Sequence, residues 1–225
     1  MLSILIFVVI LAGYVNKIPN NTDSQANTKE ETGGTINPLP SSINEIESLP
    51  ISTKYSILKM NIEFNETDDT KNVAMGSVLG YVISSKSYIE FANNVTPTGK
   101  FAIVIVQKYY LTNPDKITKE DLANLVDDYD TFMKKFEELY NKTNGIVTII
   151  VESEPFDLIV DNGTVKLPKV PLSLRNDVST FFMNEILSRL DGNDLLYTIT
   201  YNYEGYILLL NYDNGQWYRI YQKYF

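Results

Sequence analysis

Glu152 and Glu154 stand two residues apart in "IIVESEPF", the chain's closest approach to a reacting pair of carboxylates. On a strand they would share one face, roughly 6.6 Å apart along it. That falls within the ~6.5–9.5 Å that leaves room for an attacking water in an inverting glycosidase. Such a pair must flank a bond from opposite sides, however, and neighbours on one strand face the same way. The rest of the chemical repertoire is narrow. The chain has no Cys and no His, which removes thiolate nucleophiles, disulfides, thiolate metal sites and the one side chain that titrates unaided near neutral pH. Carboxylates, Lys, Tyr and hydroxyls remain. The acidic groups Asp127, Asp128, Asp130 and Asp191 to Asp194 lack the alternating oxygen ligands and terminal Glu of a calcium loop; they read as a solvated helix face and a C-terminal turn. No phosphate-cradling glycine loop is present. Neither a metal nor a cofactor is expected, and a carboxylate-dependent extracellular hydrolase stands only as an alternative to a binding role.

The binding candidate is aromatic. Counted back from the turn at Asn214-Gly215, and forward from a second at Glu204-Gly205, Tyr197, Tyr212 and Trp217 fall opposite one another across three strands. Flat rings with polar tips are what sugar rings and partner loops stack on. The same row equally suits a core beneath an amphipathic helix, and that reading is preferred.

The elements that would hold these residues follow from periodicity. "YSILKMNIEF" (55–64), "VAMGSVLGYVIS" (73–84) and "SYIEFA" (87–92) read as strands. The unbroken apolar runs Phe101 to Val106 and Gly145 to Val151 read as strands buried on both faces. Thr118, with Asp121 three residues on, caps an amphipathic helix reaching Tyr140. A second helix is expected from Ser173 to Leu190, stopped by Gly192. Between them Asn162-Gly163 turns a hairpin. The tail, "LLYTITYNYEGYILLLNYDNGQWYRIYQKYF", reads as a three-stranded meander. The expected class is α+β: a mixed or antiparallel sheet, two amphipathic helices and a C-terminal three-stranded β-meander.

Length and charge bound the partners. The chain's 225 residues with 44% apolar content suffice for one globular domain plus appendages. A formal charge of -9, with no basic cluster beyond Lys134-Lys135, argues against nucleic acid.

Residues 1–15 contain the uncharged stretch "LSILIFVVILAGYV", which spans roughly 21 Å as a helix, short of a ~30 Å hydrocarbon core. This is signal-peptide length, with Ala12-Gly13 suited to cleavage and an uncleaved signal-anchor as the rival. Residues 16–50, rich in Asn, Ser, Thr, Gly and Pro, read as a disordered polar linker ahead of a single α+β domain over 51–225. A chain beginning near Pro50 is accordingly expected to fold. N-x-S/T triplets at Asn20, Asn65, Asn94, Asn141 and Asn162 are glycosylation candidates if the chain is exported. The sequence thus implies a domain secreted or displayed on the outer face of a membrane. Its expected work is binding protein or glycan at a cell or particle surface, with a structural component of a surface layer or virion as a further alternative.

Overall fold

The computed structural model describes residues 36–66, 81–92, 96–161, 164–175, 179–187 and 194–224. The fold is α+β and is built on antiparallel pairing. Its main sheet has five strands in the order β11-β10-β5-β6-β9: β5 is Lys100–Leu111, β6 Ile146–Ser153, β9 Leu172–Leu174, β10 Thr200–Asp213 and β11 Gln216–Tyr224. A second sheet runs β1-β4-β8-β7, from Ile57–Asn61, Tyr88–Phe91, Thr164–Lys166 and Ile159–Asp161, and β2 (Phe64–Glu66) pairs with β3 (Tyr81–Ile83).

The apolar run of β5 is the centre of the main sheet, buried from Phe101 to Gln107 because β10 and β6 flank it and both faces are covered. On one face Phe101, Ile103, Ile105, Tyr109 and Leu111 join the main core, against α3 (Tyr129–Thr143), a π-helical turn Phe182–Leu187, α4 (Asp194–Ile199) and the second sheet. On the other face Ala102, Val104 and Val106 meet Leu208, Leu210, Ile150 and Trp217 in a smaller core. That core is closed by Ile36, Leu39, Ile43, Ile46 and Leu49.

This closure corrects the expected linker. Its first part, residues 16–35, lies outside the described residues, as does the apolar opening 1–15. From Ile36 onward the segment is a strap over the sheet, with a short helix α1 (Ile43–Ser48) begun by a Ser42/Glu45 capping box. Ile46 is fully buried. A few apolar residues at three- and four-residue spacing suffice here, because the sheet supplies the other half of the core.

Three further expectations change. The helix from Thr118 to Tyr140 is broken: α2 (Lys119–Leu122) carries the Thr118/Asp121 capping box, and α3 restarts at Asp128, whose side chain accepts from the Thr131 N–H at 3.1 Å. Short polar side chains that bond their own backbone end a helix as readily as they begin one. The second helix does not start at Ser173, which pairs with Glu152 as part of β9. The edge of β6 offers those residues ladder bonds, and among the described residues beyond β9 helical structure begins at Thr180. Gly192 lies outside the described residues.

Finally, the tail is a hairpin and not a meander. β10 runs straight through Glu204-Gly205, in register with Lys108 and Gln107 of β5, because the long neighbouring strand is a stronger determinant than a weak turn pair. The turn at Asn214-Gly215 forms, with φ of 49° and 85°. It places Tyr212 opposite Trp217 and Leu210 opposite Arg219. A bulge between Leu209 and Leu210 then shifts the rest, so Leu208 meets Gln222 and not Tyr221. The hairpin β7–β8 is present, its turn residues Asn162 and Gly163 lying outside the described residues.

Candidate functional site

The expected row of three aromatics does not exist as such. Tyr197 belongs to α4 and is exposed. Tyr212 and Trp217 do pack together, ring centroids 5.1 Å apart and tilted by 56°, but Trp217 is only 4% exposed. The strap covers them, in the place expected for the second helix. The Trp217 indole N–H donates to the Asn37 carbonyl at 2.9 Å, and the Asn37 N–H donates to the Tyr212 hydroxyl at 3.1 Å.

Past the end of the strap the same sheet face emerges into solvent, and its residues change type. On β5 the inward sequence Ala102, Val104, Val106 continues, two residues at a time, as Lys108 and Tyr110. Opposite them on β10 stand Glu204 and Asn202, and on β6 Thr148 and the exposed Ile146. A bulge between Thr200 and Asn202 brings the Tyr201 ring to 6.1 Å from that of Tyr110, tilted by 51°. Tyr224 lies opposite Tyr206 on β11, rings 5.6 Å apart. Tyr201 and Tyr224 are 72% and 62% exposed, so an open tyrosine-bearing patch adjoins the covered half of the face.

A hydrogen-bonded charge cluster marks the boundary between the halves. Glu47, at the end of α1, accepts from the Lys108 ammonium at 2.6 Å and, through the same oxygen, from the Tyr206 hydroxyl. The Tyr110 hydroxyl donates to Glu204 at 3.0 Å, and Lys108 lies over the Tyr206 ring. Partial burial pushes the Glu47 carboxyl up, but the bonds from Lys108 and Tyr206 outweigh it and hold the group below its ordinary value. Burial likewise pulls Lys108 down, and Glu47 more than restores it, so its pKa lies above the ordinary lysine value. Burial, then the adjacent Glu47, raises Tyr206. The cluster therefore keeps Lys108 charged and Tyr206 a hydrogen-bond donor, which suits recognition and gives no proton-transfer group.

The carboxylate pair is separated in role. Glu152 lies on β6 and is engaged by Arg175, whose Nε donates to it at 2.8 Å, whereas Glu154 is exposed beyond the strand's end. A carboxylate held by a guanidinium is a poor candidate for either acid or nucleophile. Asp128 is occupied as the α3 cap, and among the described residues no group of acidic side chains gathers as a metal site. Of the glycosylation candidates, Asn141 is exposed on the last turn of α3 and Asn65 sits on β2; Asn20, Asn94 and Asn162 lie outside the described residues.

The sequence carried a signal for Tyr110 that periodicity alone did not isolate. The change from aliphatic residues to Lys and Tyr at constant parity along β5 marks where cover ends. The chain matches no protein-family model, no curated protein and no solved structure.

Proposed function

We propose that this chain is an interaction domain displayed on, or secreted from, the outer face of a membrane, and that its open sheet face docks a protein. The observation that carries this reading is the cluster Tyr110, Tyr201 and Tyr224 beside Ile146, with Lys108 and Glu204 between them. Tyrosine joined to a few buried-stem charges is the composition of protein-binding surfaces, where rings supply contact area at little entropic cost. A sugar-binding platform needs rings presented as flat shelves. The tilt of 51° between Tyr110 and Tyr201 instead makes a facet that suits side chains. The outer-surface placement rests on the uncharged opening Leu2 to Val15; among the described residues no helix is long and apolar enough to cross a membrane.

The test is site-specific cross-linking on cells that make the protein. A photoreactive residue in place of Tyr201 is expected to trap one defined surface protein, and the same residue in place of Glu137 on the far face of α3 none. Equal, unselective trapping from both positions would defeat the reading, and capture of glycan alone at Tyr201 would reassign the ligand.

A further inference from the structure

Both outer strands of the four-stranded sheet carry exposed aliphatic side chains. Among the described residues Leu58 on β1 is 68% exposed, and on β7 Val160 is 55% exposed with Ile159 beside it. Natural sheets guard their edges, because an unpaired strand is a template for another. Here the two edges also match each other. β1 is antiparallel to β4, β4 to β8 and β8 to β7, so β1 and β7 run in opposite directions. A β7 laid against the β1 of another copy would therefore continue the sheet with unbroken antiparallel pairing.

One register satisfies both faces. Met60, Ile89, Val165 and Val160 are successive cross-strand partners, a single row across all four strands that ends at the exposed Val160. Placing Val160 opposite the next copy's Met60 prolongs that row. The same register sets Asp161 opposite Lys59 and Ile159 opposite Asn61. Within that pairing the one charged pair, Asp161 with Lys59, is of opposite sign. The bulge between Ile57 and Lys59 confines the regular part of the β1 edge to Lys59, Met60 and Asn61, the same length as β7.

We infer that a second copy of this chain is the partner of this sheet: β7 of one molecule adds to β1 of the next. The contact is heterologous, head to tail, and leaves a free β1 at one end and a free β7 at the other, so it propagates as a row and does not close as a dimer. Three residues on each side make a small interface, and association is correspondingly weak in solution. Display on a surface raises the local concentration and favours the row. The tyrosine patch lies on the other sheet and stays available to a different protein.

Sedimentation of the full chain over a range of concentrations tests this. The average mass is expected to climb past that of a dimer without a plateau. Val160→Lys blocks the β7 edge, and Leu58→Glu with Lys59→Glu blocks the β1 edge. Each variant is expected to associate about tenfold or more weakly than the parent, as edge charges obstruct strand addition. Mixed together, the two keep one intact β1 and one intact β7, and should form a 1:1 heterodimer and nothing longer. Unchanged Trp217 emission certifies that each variant is folded, and Tyr201→Ala should leave the association untouched, which separates this result from the fate of the docking proposal. A parent chain that stays monomeric, edge variants that associate as the parent does, or a mixture that remains monomeric would overturn it.

Discussion

The Trp217 indole donates its N–H to the main-chain oxygen of Asn37 across 180 positions of sequence. That bond joins the last strand of the main sheet to the first described residues of the strap. At the strap's other end Arg219 repeats the connection: its Nε donates to the Leu49 carbonyl at 3.0 Å, and its N–H to that of Pro50 at 2.9 Å. The strap is thus stitched to the hairpin at both ends and fills the middle with Ile43 and Ile46.

Removal of residues 1–50 is expected to destabilise the domain and not merely to trim it. The deletion uncovers Ala102, Val104, Leu208, Leu210 and Trp217 together, an apolar area of the kind that drives aggregation when left open. Sedimentation and the fluorescence of the single tryptophan measure this: the truncated chain should aggregate or emit at longer wavelength. A soluble monomer with parental emission would refute the structural role of the strap.

Trp217→Ala should cost about 3–5 kcal/mol, because a large buried ring is lost and its cavity only partly collapses. Urea titration of the variant against the parent gives the value. A loss below about 1 kcal/mol would mean that the strap spends much of its time detached.

The Glu47 bonds give the strap a pH-dependent component. A carboxyl held below its ordinary value in the fold contributes stability that is fully present above the unfolded carboxyl pKa, and that is lost as pH falls through the folded value. Glu47→Gln should therefore lower stability near neutral pH and make no difference well below pH 4.5, the ordinary value for the group. The side chain is partly solvated, so the gap should be at most about 1 kcal/mol. Denaturant unfolding of both proteins at two pH values decides it; a gap that widens in acid would reverse the assignment.

Gly99→Ala should be disproportionately harmful for a loop substitution. Gly99 has φ of 85°, and an added Cβ would lie 2.2 Å from the Tyr212 carbonyl oxygen, inside any tolerable contact. The backbone penalty alone is on the order of 1–3 kcal/mol, and the clash pushes β10 and the β5 entrance apart. Thermal melts of Gly99→Ala beside Gly215→Ala, where φ is also 85° but nothing lies within 4 Å, separate strain from collision. Equal effects would show that the close approach is unimportant.

Local order was readable wherever neighbouring residues decide it. The central strands at Phe101 and Ile146, the Thr118/Asp121 cap, the Asn214-Gly215 turn and the pairing of Tyr212 with Trp217 each follow from side chains within a few positions of one another. Three outcomes depended on distant chain. β5 held β10 straight through Glu204-Gly205; the β6 edge drew Leu172–Leu174 out of a helix; and the sheet's second face turned an apolar-poor segment at Ile36 into a cover. In each case the local preference is worth a few tenths to one kcal/mol, whereas a ladder of backbone bonds or the burial of several apolar side chains contributes several times that. The same competition placed the tyrosines. Sequence set their number and alternation, but only the length of the strap, ending at Glu47 over Lys108 and Tyr206, decided which rings became core and which were left facing water.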